Sequence, residues 1–233
     1  MIQLLVAAAV AAAAPSCPNV VTPDALVCRA LVAQKAGEHE AAAQAFEEAA
    51  KASPEKDPKT ARLFAAAGNL WIAADEAGKA ALDLDRALAL PGLEAEQRGE
   101  ALLDRARAAE AQNDLKTARA KVNEAAQTIS EDPFLWYFSA ALAIREGDGA
   151  TAKTAIGKAL TLAPTDPTIL FEAGHVADFN GDQAQARSYW NRAASSDPNG
   201  PAGKAAAKAI EMLGVTPAVK PEAQPPKAQP RKN

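Results

Sequence analysis

Histidine, cysteine, methionine and tyrosine each occur only twice in the 233 residues, and all aromatics together make up 5% of the chain. His39 and His175 stand far from each other and from Cys17 and Cys28, so no spacing suited to a metal site can be assembled. Equipment for general acid-base work is equally thin. No Gly-rich phosphate loop, nucleophile elbow or Ser/His/Asp-like set is present. The expectation is therefore a protein that is not an enzyme and takes no cofactor. A basic excess is missing too: the formal charge is −4, with no footprint for nucleic acid. The longest apolar run, Met1 to Ala14, falls short of the roughly 20 residues that a membrane-crossing helix needs.

What is abundant is alanine. It supplies 61 residues, more than half of the 48% that counts as hydrophobic. Alanine is the best helix former because it loses no side-chain entropy, and it offers little volume to bury. The scarcity of β-branched and aromatic residues argues against a β-sandwich or barrel. Many helices packed closely on small faces fit this composition.

The opening MIQLLVAAAVAAAA, stopped by Pro15, reads as a secretory signal whose only positive charge is the α-amino group, with cleavage expected after Ala13 or Ser16. A retained apolar helix in a cytoplasmic protein is the alternative. Cys17 and Cys28 follow closely. In an oxidising compartment they would pair, closing a loop of about ten residues for roughly 2–3 kcal/mol. Two other readings stay open. Ala14-Pro15-Ser16-Cys17 resembles the start of a mature bacterial lipoprotein, which would put a lipid on Cys17 and give the chain its one link to a membrane; or both thiols are idle.

One set of offsets recurs along most of the chain. Gly147, Ala152, Ile156, Ala159 and Pro164 are separated by five, four, three and five residues. The same steps occur at Gly181, Ala186, Trp190, Ala193, Pro198 and at Gly37, Ala42, Phe46, Ala49, Pro54. Two degenerate copies keep the middle: Asp75, Ala80, Leu84, Ala87 and Asn113, Ala118, Val122, Ala125. Pro133, Pro167 and Pro201 fall every 34 residues. Phe64, Ala67, Gly68 and Trp71 set a large-small pattern ahead of one copy, echoed by Leu170, Ala173 and Gly174 and by Trp136 and Ala140. Leu26 with Ala30 and Leu102 with Ala106 are poorer, each with an arginine (Arg29, Arg105) where an apolar residue is usual.

A 34-residue unit of this kind resembles the tetratricopeptide repeat, in the exported bacterial type. The resemblance implies an all-α fold, a right-handed α-solenoid of about five helix-turn-helix repeats with a C-terminal capping helix. The physics of the pattern agrees. Alanine at the small positions lets antiparallel helices approach, and the one large residue per copy plugs into the neighbouring hairpin. Gly37, Gly147 and Gly181 sit where a first helix must end in the left-handed conformation, and Asp132-Pro133, Asp166-Pro167 and Asp197-Pro198 put a capping carboxylate and a proline at or just before helix starts. The expected organisation is a signal peptide over 1–16, a short lead over 17–22, and repeats over 23–60, 61–98, 99–132, 133–166 and 167–200. A capping helix over 201–215 and a disordered Pro/Lys-rich tail over 216–233 follow, with Pro54 to Thr60 and Pro91 to Gln97 as inter-unit loops.

In that family the inner face of each first helix carries the ligand contacts. Residues three and four apart share a face. The second unit offers Arg62, Ala65, Asn69 and Ile72, and the third Glu100, Leu103, Arg107 and Glu110. The fourth offers Phe134, Tyr137, Ala141 and Ile144, and the fifth Thr168, Phe171, His175 and Asp178. From these, Arg62, Asn69, Leu103, Arg107, Phe134, Tyr137, Phe171 and His175 are the candidate groove residues: aromatics anchor interfaces, and Arg and Asn hold a peptide backbone or carboxylate. Core packing for the phenylalanines and plain surface polarity for the rest are the competing readings. Val27 and Leu31 on the first unit do not suit a clamp for an acidic C-terminus. The resulting expectation is a non-catalytic scaffold that binds a peptide or partner protein in its groove, in the bacterial periplasm or cell envelope. The alternative is a self-associating assembly module of an envelope complex, with the oligomeric state open.

Overall fold

A computed structural model describes residues 17–215. The expected signal peptide over 1–16 and the expected tail over 216–233 lie outside the described residues. Eleven helices and no strand occur among the described residues: α1 Pro23–Ala36, α2 His39–Ala52, α3 Pro58–Ala73, α4 Ala77–Ala89, α5 Ala95–Ala111, α6 Leu115–Ala125, α7 Pro133–Glu146, α8 Gly149–Leu162, α9 Pro167–Phe179, α10 Gln183–Ser196 and α11 Pro201–Val215. They fall into two compact units, the first carrying α1–α8 and the second α9–α11.

Every first helix turns into its partner through the same device. The first or second residue after the helix takes a positive φ: Gly37 (78°) and Gly147 (77°) directly, Asp75 (61°), Asn113 (62°) and Gly181 (81°) one residue later. The next N–H then reaches back five residues, as from Glu38 to Ala33 O and from Glu76 to Trp71 O, at 2.9 and 2.8 Å. This satisfies carbonyls that the helix end leaves free. Asp and Asn stand in for glycine because their short polar side chains tolerate the left-handed region. The same loops start the second helix: Asp114, Asp148 and Asp182 each accept the N–H three residues on, at 3.1, 2.9 and 2.9 Å. Glu38 and Glu76 occupy the equivalent place with no such side-chain bond.

Packing within a hairpin depends on small residues. Of the 43 buried apolar side chains described, 27 are alanine, so the few large ones set the fit between helices. A Cβ on Gly68 would come 2.5 Å from Leu84, and one on Gly174 would overlap the Trp190 indole. Phe46, Leu84, Val122, Ile156 and Trp190, one per hairpin, are all buried.

Two differences from the sequence reading have physical causes. The loops expected over 54–60 and 91–97 are shorter, because α3 already begins at Pro58 and α5 at Ala95. Asp57 accepts the Lys59 N–H at 2.9 Å and Pro58 opens the helix; Gln97 reaches back to accept the Glu94 N–H at 3.2 Å. Both are ordinary helix-start chemistry. The polar residues at the usually apolar place also have partners. Arg29 donates to the carbonyls of Pro18 and Val20, at 3.3 and 3.1 Å, and ties the lead to α1. Arg105 pairs with Asp85 of α4 at 2.8 Å, and buried Ser139 of α7 receives Arg119 of α6 at 2.9 Å. The lead is held a second time by a disulfide between Cys17 and Cys28. At the other end, α11 packs on α10 and α9.

Candidate functional site

The inner faces of α3 and α5 border a cavity of about 320 Å³ whose polar lining includes Gln34, Arg62, Asn69, Gln97, Glu100 and Asp104. Ala65 and Ala66 form part of its wall and keep it open by their size. Asp104 organises the rim. Its carboxylate accepts Asn69 Nδ2 at 2.7 Å from the facing helix and Arg107 Nη1 at 2.9 Å from its own. Asn69 and Arg107 are thereby fixed while staying exposed, each with polar atoms beyond those bonds. Arg62 rests on the Pro58 carbonyl at 3.4 Å. Glu100 is pushed above the usual carboxylate range, first by partial burial and then by Glu96, Asp104 and Asp132 nearby.

Leu103, in contrast, is half-buried and packs against the core around Leu102, Val122 and Leu135. On α7, Phe134 remains 49% exposed. Its ring meets Tyr137 edge-on, with centroids 6.4 Å apart.

In the second unit, Phe171 and His175 form an edge-to-face pair at 4.5 Å, and His175 meets Trp190 at 5.5 Å. Trp190 donates its indole N–H to the Phe171 carbonyl at 3.0 Å. Burial depresses the His175 pKa, with Asp178 opposing, so the imidazole is favoured neutral. These side chains line a cleft of about 560 Å³ closed by Ala205, Lys208, Ala209, Met212 and Leu213 of α11. Among the described residues no three His, Cys, Asp or Glu side chains converge as a metal site, and no helix is long and apolar enough to cross a membrane.

No protein-family model matches the chain, and no curated protein matches its sequence. Solved structures do match. The type IV pilus biogenesis factor PilW aligns at 17% identity over 78% of this chain and 81% of its own, with a TM-score of 0.66. A tetratricopeptide repeat protein from Parabacteroides merdae aligns at 18% identity over 82% and 71%, with a TM-score of 0.61. YrrB, described as a tetratricopeptide protein with an unusual peptide-binding site, aligns at 17% identity over 79% and 91%, with a TM-score of 0.57. The chain has the tetratricopeptide-repeat fold. It is an all-α solenoid of helix-turn-helix repeats.

Within that fold the structure brings Arg62 and Asn69 to one cavity and ties Arg107 to it through Asp104, pairs Phe134 with Tyr137, pairs Phe171 with His175, and leaves Leu103 half-buried against the core. Sequence reasoning passed over Asp104, the residue that joins Asn69 to Arg107. Its i,i+3 spacing to Arg107 was the available signal. The sequence pattern marks Trp190 only as a plug; its contact with His175 crosses from α10 to α9 and no spacing rule along one helix reveals it. Glu172 was missed as well. Burial alone pushes its pKa up to about 7.

Proposed function

We propose that this protein is a non-catalytic protein–protein interaction scaffold that holds a peptide segment or partner protein in the groove between its first helices. The observation that carries the reading is the Asn69–Asp104–Arg107 set on the rim of the α3/α5 cavity. A peptide backbone presents alternating N–H and C=O groups. An amide and a guanidinium held by one shared carboxylate are oriented for them before binding, which lowers the ordering cost of association. The exposed edge of Phe134 beside Tyr137 supplies apolar area of the kind that anchors interfaces. The peptide-binding site named for YrrB, on the same fold, supports this reading.

The groove is tested with peptides selected from a displayed random library on the wild-type protein. Asn69→Ala combined with Arg107→Ala should weaken the selected peptides at least tenfold with helical content unchanged. Equal affinity would contradict the groove reading.

We further infer export to the periplasm of a bacterial envelope. The signal-like start and the Cys17–Cys28 bridge support it, because disulfides persist in oxidising compartments. Intact mass of the protein from cells should show loss of the segment ending at Ala13 or Ser16 and of two hydrogens at the bridge. A mass matching an unprocessed chain from Met1 would overturn export, and an added lipid mass would move the anchor to Cys17.

A further inference from the structure

The cleft of the second unit differs in chemistry from the α3/α5 groove. Its floor is aromatic, made by the partly exposed Phe171 and His175 with the buried Trp190 beneath them, and its α11 wall is alanine, methionine and leucine beside Lys208. Met212 is 61% exposed at the mouth. Two charges of opposite sign, Asp178 and Lys208, flank it. The space, about 560 Å³, lies within the range that encloses a drug-sized ligand. A helix in such a position normally covers the last apolar face of a repeat stack. Here α11 leaves a cleft in the course of covering it.

The sequence directly after that wall fits the opening. Only two residues separate Leu213 from the segment 216–233, which holds five prolines, at 217, 221, 225, 226 and 230. Proline-rich segments dock into aromatic-lined grooves, since the restricted proline backbone loses little entropy on binding and its ring lies flat on an aromatic face. The first part of the segment, Pro217-Ala218-Val219-Lys220-Pro221, pairs apolar residues with one cation that can meet Asp178. A tether of a few residues also sets an effective concentration on the order of millimolar, so even a weak contact is populated.

We propose that the cleft between α9 and α11 is a docking site for a proline-rich segment, and that its occupant is residues 216–233 of this chain. Its lining shares no residue with that of the α3/α5 groove, and the proposal does not rest on the reading of that groove.

The test compares the full chain with one ending at Val215, following the Trp190 indole N–H and the Met212 methyl by NMR. Both resonances should differ between the two chains. A synthetic peptide of residues 216–233 added to the shortened chain should move them toward their full-chain positions. With an affinity of about 0.1 mM against a tether in the millimolar range, the peptide should bind the full chain about tenfold more weakly than the shortened one. Met212→Glu, at an exposed position that leaves the core intact, should weaken the peptide at least tenfold on the shortened chain; Phe171→Ala should do the same where it folds. Identical resonances in the two chains overturn the proposal. So does equal peptide affinity for both, which would point to a proline-rich segment of another protein, and so does a peptide that perturbs Asn69 in place of Trp190.

Discussion

Where the two helices of a hairpin come closest, α3 places Gly68 against Leu84 and α9 places Gly174 against Trp190. Where the first helix ends, one hairpin has Asp75 and the other Gly181; where the second begins, one has Glu76 and the other Asp182. The backbone conformations agree throughout, including the reach-back hydrogen bonds of Glu76 and Asp182, at 2.8 and 2.9 Å. On the inner face the likeness stops: α3 and α5 present amide, guanidinium and carboxylate groups, whereas α9 presents rings. Positions that set backbone and helix spacing accept near-equivalents, while the residues lining the two cavities diverge.

The largest expected contrast is in pH dependence. Each hairpin holds one carboxyl with a raised pKa. Asp83 is almost fully buried between the Trp71 indole (3.2 Å) and Arg86 (3.0 Å). Its pKa is raised to about 6, chiefly by burial and next by Glu47. Glu172 rises to about 7 from burial alone. A raised pKa in the folded state means that the fold favours the protonated acid. Its stabilising contribution is complete below the unfolded pKa near 4 and is lost as pH climbs through the folded value. Each group should lower stability by about 3 kcal/mol over that rise. Glu172→Gln should flatten the urea-derived stability profile up to about pH 7, and Asp83→Asn only up to about pH 6. Unchanged slopes would contradict these assignments.

Next comes packing. Gly174→Ala sets a methyl group against a rigid indole pinned to the Phe171 carbonyl and should cost about 2–3 kcal/mol. Gly68→Ala meets the more adaptable Leu84, and the gain in helix propensity offsets part of the clash, so about 1 kcal/mol is expected. Denaturant midpoints check the order; the reverse order would refute the account of the two contacts.

The smaller effects should be gains. Glu76→Asp gives the first hairpin the cap that Asp182 provides in the other, adding about 1 kcal/mol less a few tenths for the exposed Lys79 pair. Asp75→Gly relieves a non-glycine residue at φ 61° and should add about 0.5 kcal/mol. A loss in either variant, read from thermal or urea unfolding, would show that the turns are not equivalent.

These positions also explain what could be read in advance. The repeat offsets, the alanine excess and the turn glycines report backbone constraints, which recur in every copy and leave a periodic trace, so the tetratricopeptide fold was legible. Asp75 and Asn113 were legible only as degenerate copies, since their role is a backbone conformation that glycine usually signals. The rim of the groove was half legible. Asn69 and Arg107 follow from helix periodicity, but the bond from Asn69 to Asp104 joins residues 35 apart through a helix-helix spacing no single-helix pattern contains. Leu103 satisfies the same periodicity but packs, half-buried, against the core cluster that α5 builds with α6.

The central claim is that the α3/α5 groove is the surface that holds a partner. The most direct measurement is photocrosslinking in living cells from a reactive residue placed at Ala65, inside the cavity, compared with one at Leu82, which is 62% exposed on α4. The account predicts one partner trapped from position 65, none from position 82, and loss of the trapped product when Asn69→Ala and Arg107→Ala are combined. Equal trapping from both positions, or a product that survives the double substitution, would contradict it.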